Sequence, residues 1–423
     1  MRKLIVIALL FAVFAGAVYA QDLKLDGYFN SGIGIVIDNN EDNDAYFKAL
    51  GVDSESNGYR FRLNGSYTNE AKNAGIRFRF QSQRNISAAN TGYFSLAYAY
   101  GWVNFFDDKI NLTGGIIDDS TWTTAEWWWN DDQGEGLGIL LKLTPISGLN
   151  IGIGAYVISQ QSGGNNNILS INNNGSLPNF RDITLKAEDT KYTFNAAYTM
   201  PDTFRLGASF RTKNHAGWRP PAPNTDDDYP YLGREETSQL IGEFRFLGVK
   251  DLTAVVIGIF DTLDDFNDAG NIILSETFGY KIDNLNLGLN AAQFLYNGKT
   301  SGKDTDPSLL FNLWGSYTLD SVVPRLDLVY FTGGRSKMTV SDKQWERRGF
   351  VNTRGAKGDD DDLSVFSIRP SVKINLDSKT FLEIGDMINI DNGNYDGAYK
   401  DSGNAKKNSL FTNVFYLDFK WSF

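Results

Sequence analysis

A period of two residues dominates this chain. From Leu23 onward, segments of about ten residues alternate apolar side chains with polar residues or glycine, and a turn follows each segment. Tyr59–Tyr67 and Ile76–Gln81 alternate without a break. Successive side chains of a β-strand point to opposite faces of its sheet, so each segment is predicted to be a strand with one apolar face.

The connections between these segments alternate in length. We count 18 segments, and short turns such as Pro201-Asp202 interleave with long connections such as 39–57, 119–135 and 335–362. Both ends of the segment series lie on the side of the short turns. An even strand number with this separation of loop lengths predicts an all-β fold, a transmembrane antiparallel β-barrel with short periplasmic turns and long extracellular loops. A barrel of 16 strands is the alternative.

The first 20 residues differ from the rest of the chain. Two positive residues precede an apolar run over 4–18, and Ala20 ends a small-x-small cleavage site. This predicts a secretory signal peptide over 1–20, with 21–423 as a single barrel domain. A membrane anchor is the alternative for the apolar run. No later apolar run approaches the roughly 20 residues that a membrane helix needs, which excludes a helical membrane protein.

Composition excludes several classes of function. The chain has no Cys and one His, so thiolate metal sites, cysteine nucleophiles and multi-histidine metal sites are excluded. His215 lies in a loop without a recognisable catalytic partner, and no enzyme is predicted. A net charge of −11 argues against nucleic-acid binding. No cofactor is predicted, apart from a divalent cation that the acidic long connections could bind.

The last segment has apolar residues at every second position and polar residues between them. Those apolar residues are Phe415, Leu417, Phe419, Trp421 and Phe423. This ending resembles bacterial outer-membrane β-barrel proteins, whose last strand typically ends in Phe preceded by the same alternation. The resemblance implies a place in the outer-membrane bilayer and recognition by the barrel assembly machinery.

Aromatic residues near the predicted strand ends are expected to form girdles at the two membrane interfaces. They are Tyr67, Tyr98, Trp102, Tyr198, Tyr280 and Tyr317.

The alternation also predicts which residues face the lumen. An interior enclosed by about 18 strands is too wide for side chains to fill. Charges facing lipid would cost about 2–4 kcal/mol each near mid-membrane, so they are placed inside. The predicted pore-lining cations are Arg60, Arg62, Arg77, Arg79, Arg205, Arg211, Arg245, Arg325, Arg369 and Lys373. The alternation places few acidic residues on the same lumenal face. They include Asp26, Glu243, Asp327 and Glu383.

The third long connection combines acids with a tryptophan triplet. Its predicted constriction residues are Asp119, Glu126, Trp127, Trp128, Trp129, Asp131 and Asp132. In general diffusion porins, which the chain resembles in its barrel organisation, the third external loop folds into the pore opposite arginines of early strands. The alternative is an exposed loop whose tryptophans pack at the rim or on a neighbouring subunit.

These features predict a porin that passes small hydrophilic solutes or ions through a water-filled, arginine-lined barrel. One alternative is a channel selective for a sugar or an anion, with Tyr28, Tyr156 and Trp314 as a stacking path. The other is a surface adhesin or structural barrel that acts through its acidic loops. A homotrimer is possible for the porin.

Overall fold

The fold is known from a computed structural model that describes the strands and the tight turns of the chain. The described residues are 23–38, 45–50, 60–82, 94–117, 136–157, 190–214, 237–261, 263, 271–296, 308–332, 364–391 and 410–423. No helix among them is long and apolar enough to cross a membrane.

The described chain is built from strands. The first ten are β1 Lys24–Asp38, β2 Ala45–Leu50, β3 Arg60–Thr68, β4 Ala74–Ser82, β5 Phe94–Phe105, β6 Ile110–Ile117, β7 Gly136–Ile146, β8 Leu149–Val157, β9 Thr190–Met200 and β10 Phe204–Asn214. The remaining nine are β11 Thr237–Phe246, β12 Leu252–Asp261, β13 Asn271–Ile282, β14 Leu285–Tyr296, β15 Ser308–Tyr317, β16 Val322–Thr332, β17 Ser364–Asn375, β18 Thr380–Asp391 and β19 Leu410–Ser422.

The strands close into a barrel. Each strand from β3 onward pairs antiparallel with the next, and β19 pairs antiparallel with β1. β1 has two partners on its other side: β3 pairs with residues 24–30, and β2 pairs with residues 32–37. β2 and β3 therefore share one position, and the barrel has 18 strand positions. The prediction of 18 is confirmed and the alternative of 16 is wrong.

β2 corrects one detail of the sequence interpretation. The segment 39–57 was predicted to be a long connection, yet it contains a strand of six residues, Ala45–Leu50. β2 continues the line of β3 along β1, so it extends one wall of the barrel toward the long connections.

The two faces of the wall differ as the alternation predicts. On β10, the outward residues Leu206 and Phe210 are exposed to 48% and 36%. The inward residues Ser209 and Arg211 of the same strand are exposed to 0% and 2%. Residues that pair across neighbouring strands face the same side of the wall and share their polarity. Apolar Leu206 pairs with apolar Phe244, and polar Arg211 pairs with polar Gln239. Large exposed apolar side chains facing outward make an outer surface suited to lipid, with polar groups turned inward.

Aspartates recur where the tight turns need a left-handed backbone. Asn and Asp tolerate this conformation better than other non-glycine residues. The aspartates with positive φ are Asp107, Asp108, Asp202, Asp251, Asp283 and Asp320, with φ between 47° and 64°. In another turn, the backbone N–H groups of Lys379 and Thr380 donate to Asp377, which lowers the pKa of that carboxyl.

Candidate lumenal site

The inward side of the wall holds the cations that the alternation predicted to line a pore. By register, the inward positions include Arg62, Arg77 and Arg79 on β3 and β4, Arg205, Arg211 and Arg245 on β10 and β11, and Arg325, Arg369 and Lys373 on β16 and β17. Arg60 has the same parity opposite Asn30, and its side chain lies outside the described part. The cations are thus grouped on three walls, and their role in lining a pore stays a prediction.

On β3 and β4 the arginines are held by amide side chains. The Arg62 Nε–H donates to Gln81 Oε1 at 3.0 Å, and the Arg79 Nε–H donates to Asn64 Oδ1 at 2.9 Å. The Asn64 Nδ2 in turn donates to Asp26 Oδ1 at 2.6 Å. Asn64 therefore links Arg79 to the Asp26 carboxylate, since its amide oxygen accepts from Arg79 and its amide nitrogen donates to Asp26.

Tyrosine rings support the same wall. The Arg79 guanidinium lies 4.6 Å from the centre of the Tyr98 ring, and the Arg62 guanidinium lies 5.5 Å from that of Tyr28. Lys420, from the last strand, lies 4.5 Å from the Tyr28 ring. A cation within about 6 Å of a ring centre is attracted to the face of the ring, so these contacts fix cations without cancelling their charge.

On β10 and β11 an acid stands between two arginines. Glu243 Oε1 lies 3.6 Å from Arg205 Nε and 3.5 Å from Arg245 Nε, and the Glu243 side chain is fully buried. Farther along the same strands, Arg211 Nη1 donates to Gln239 Oε1 at 3.4 Å. The pair Arg205 and Arg245 thus shares one carboxylate.

The third wall, on β16 and β17, also contains an acid. Arg325 donates from Nε and Nη2 to the two oxygens of Asp327, at 2.7 Å each. Asn312 Nδ2 donates to the same carboxylate at 3.3 Å. Arg369 stands directly opposite Asp327 in the register, and Arg325 lies 4.5 Å from the Trp314 ring centre. Asp327 therefore lowers the net charge of this wall.

The interior is packed more closely toward the long connections than toward the tight turns. Near the long connections, inward Ile241, Ile259 and Arg211 are exposed to no more than 2%. Near the tight turns, inward Arg77 and Asn150 are exposed. The inward side chains at these three positions are therefore covered more fully by the protein than the two near the tight turns.

Part of the girdle prediction is wrong. Tyr98 and Trp102 face inward, opposite Arg79 and Gly75 on β4. The outward tyrosines near tight turns are Tyr67, Tyr198, Tyr280 and Tyr317. The last three are exposed to 41–46%, as expected for a girdle at one interface. The sugar-stacking candidates Tyr28, Tyr156 and Trp314 have inward register, although the Tyr156 side chain lies outside the described part.

Two carboxylates face outward, a feature that sequence reasoning missed. Glu276 Oε1 accepts a hydrogen bond from Gln293 Nε2 at 3.2 Å, and Asp386 Oδ2 accepts one from Asn413 Nδ2 at 3.3 Å. Each acid stands between apolar outward residues along its own strand. Within the described strands, Glu276 and Asp386 are the acidic residues at outward-facing positions. No lysine or arginine of these strands lies at such a position.

The last strand places its predicted assembly residues outward. Phe415, Leu417 and Trp421 are exposed to 50%, 40% and 47%, and Phe419 shares their parity. Phe423 follows the strand and contacts the first strand of the barrel. Recognition by the assembly machinery stays a prediction.

Other predictions fall outside the described residues. They are the signal peptide 1–20, the constriction loop with its acids and tryptophans, the acids of the long connections, and His215. Within the described ranges, no group of three or more His, Cys, Asp or Glu residues could hold a metal ion.

Comparisons with known proteins support the fold through structure alone. No protein-family model matches the sequence, and no curated protein matches it. OpdK of Pseudomonas aeruginosa, solved with vanillate, superposes with a TM-score of 0.52 at 9% identity, covering 95% of this chain and 99% of that one. OccK2 (OpdF) from the same organism, in complex with glucuronate, gives 0.51 at 10% identity over 95% and 98%. OccK11 (OpdR), also from Pseudomonas aeruginosa, gives 0.51 at 9% over 95% and 96%.

The closed 18-strand antiparallel wall with an apolar outer face defines the fold class. The chain is a transmembrane β-barrel with the fold of the outer-membrane porin channels.

Proposed function

We propose that the protein is a passive outer-membrane channel that lets small hydrophilic anions move down their concentration gradients. One observation carries this proposal: inward positions on three separate walls hold arginines, while the outer wall is apolar. Fixed positive charge along a pore raises the local concentration of anions and lowers that of cations.

Carboxylate-bearing solutes are the class that best fits this interior. A guanidinium binds a carboxylate with two parallel hydrogen bonds, a geometry that a lysine cannot match. The two ligands bound to the similar barrels OpdK and OccK2, vanillate and glucuronate, are both carboxylates. Their presence on the same fold supports, for this chain, a preference for small organic acids over neutral sugars.

Conductance in planar bilayers tests the proposal. The purified protein should open stable steps, and a salt gradient should give a reversal potential on the anion side. Adding a small carboxylate such as vanillate or glucuronate should reduce the current by occupying the pore. Absence of any conductance would favour the rival function, a structural or adhesive barrel. The molecular mass of the detergent-solubilised protein tests the expected homotrimer separately.

A further inference from the structure

We infer that Lys373 attracts passing anions at the tight-turn end of the lumen, and that Phe381 and Tyr416 keep its ammonium group apart from the facing carboxylate of Glu383. Lys373 is then a selectivity residue, and the two aromatic residues are positioning residues. This inference rests on the proposed anion channel and adds residues that determine its selectivity.

Lys373 and Glu383 face each other across two neighbouring strands. They are register partners on β17 and β18, and both are inward and half-buried. Opposite charges at such positions are close enough to attract each other. In the described part of the chain, however, no ion pair joins these two residues. The other inward acids beside cations differ, since Glu243 and Asp327 lie 3.5 and 2.7 Å from the nearest arginine Nε atoms.

An aromatic ring holds the ammonium group of Lys373. The Lys373 Nζ lies 4.1 Å from the centre of the Phe381 ring. Phe381 precedes Glu383 by two residues on β18 and lies closer to the tight turn. A cation at this distance is attracted to the face of the ring, and it keeps its full charge. Phe381 therefore draws the ammonium group away from Glu383 and toward the mouth of the lumen.

A tyrosine hydroxyl holds the carboxylate of Glu383. Tyr416 on β19 donates from its hydroxyl to Glu383 Oε1 at 2.9 Å. The register partner of Tyr416 is Gly385, where a Cβ would overlap the tyrosine ring. The glycine therefore lets this ring lie across β18 and reach Glu383. The carboxylate thus has a hydrogen-bond donor other than Lys373.

The contact of Lys373 with the ring competes with an ion pair of similar strength. A cation on a ring at a partly exposed site and an exposed ion pair both stabilise a protein only slightly. One aromatic residue can therefore decide where the lysine points. A lysine paired with Glu383 would be neutralised locally, whereas a lysine on a ring remains a fixed positive charge that attracts anions.

A double-mutant cycle between Phe381 and Glu383 tests this arrangement. The reversal potential in a potassium chloride gradient gives the anion-to-cation permeability ratio, and chloride has no ring that could stack on Phe381. Phe381→Leu should lower the ratio by up to about fivefold, the factor for unit charges about 4 Å apart in water-like surroundings. The reason is that the lysine then turns to Glu383. In the Glu383→Gln background, the same substitution should leave the ratio unchanged.

Two single variants define the roles of the lysine and the ring. Lys373→Gln removes the charge itself and should lower the ratio at least as much as Phe381→Leu does. Phe381→Tyr keeps an aromatic face and should retain the wild-type ratio.

Trp314→Leu is the matched control. Arg325 lies 4.5 Å from the centre of the Trp314 ring, but it already pairs with Asp327 at 2.7 Å. Loss of this ring frees no cation for a new ion pair, so the ratio should remain close to that of the wild type. Heat-modifiable migration in detergent establishes that each variant has folded.

The outcomes separate this inference from the proposed function. An anion-selective wild type whose ratio is unchanged by Lys373→Gln or by Phe381→Leu would overturn the inference and leave the channel intact. An equally large loss from Phe381→Leu in the Glu383→Gln background would do the same, because it would show an effect of packing alone. A wild type without conductance, or without anion preference, would overturn both.

Discussion

Phe423 and Gly27 exchange two backbone hydrogen bonds, from Phe423 N to Gly27 O at 3.0 Å and from Gly27 N to Phe423 O at 3.3 Å. The terminal ring also stacks on Phe61 of β3, with centroids 6.2 Å apart. It covers the space where a side chain at Gly27 would stand. The last residue therefore takes part in closing the barrel at β1.

Deleting Phe423 should weaken barrel closure while leaving export intact. The deletion removes a pair of backbone hydrogen bonds at the seam, and unpaired backbone groups are costly where lipid replaces water. We expect less heat-modifiable protein in the outer-membrane fraction, measured by its migration in detergent without heating.

Phe423→Ala separates the two contributions of this residue. It keeps the backbone pairing with Gly27 and loses the ring contacts, so its defect should be milder than that of the deletion. A truncated chain that reaches the membrane at normal levels would show that Phe423 is dispensable for closure.

Gly385→Ala should destabilise the barrel. A Cβ at this position would overlap the ring of Tyr416, whose hydroxyl donates to Glu383 Oε1 at 2.9 Å. Overpacking of this kind costs about 1–3 kcal/mol. Gly242→Ala is the control, because no atom lies within 4 Å of its added Cβ. Urea unfolding in lipid vesicles should show a loss for the first variant and none for the second, and equal stability of both would contradict the packing argument.

The strand pattern was predictable because membrane burial enforces a strict period of two. On β10, apolar Leu206 and Phe210 alternate with Ser209 and Arg211, and the structure places them as the sequence predicts. β2 was not predictable in the same way. Its six residues are too few to show the alternation clearly, and its pairing with β1 depends on register.

The faces of β5 show where the pattern becomes ambiguous. Tyr98 and Trp102 alternate with Ala99 and Gly101, so hydrophobicity alone favours the aromatic face for lipid. In the structure, the register with β4 places Tyr98 opposite Arg79, so the aromatic face of β5 is the inward one. The attraction between a guanidinium and a tyrosine ring explains why this aromatic residue is stable inside.

The outward acids were missed for a related reason. The sequence interpretation assigned charges inward because lipid exposure is costly, and Glu276 does not follow that rule. Its hydrogen bond from Gln293 comes from the neighbouring strand, a relationship that becomes visible only when the register is known.

Glu276→Leu should stabilise the barrel in a bilayer. An outward acid near mid-membrane costs less than the 2–4 kcal/mol of an arginine or lysine, so we expect a gain of up to about 2 kcal/mol. Glu276→Gln, which removes the charge and keeps the polarity, should give an intermediate gain. Urea unfolding in vesicles measures both, and a loss of stability in Glu276→Leu would mean that a polar contact in the membrane requires this carboxylate.

Replacing Arg60, Arg62, Arg77 and Arg79 together with Ala should shift the reversal potential in a salt gradient toward cations. Three of these side chains are described on the inward face of β3 and β4, and Arg60 shares their parity. The shift should grow at low salt, because the Debye length is roughly 30 Å at 0.01 M and the field then spans more of the lumen. The matched variant with four Lys residues keeps the charge and should retain most of the anion preference. A reversal potential that the Ala substitutions leave unchanged at low salt would place these arginines outside the conducting path.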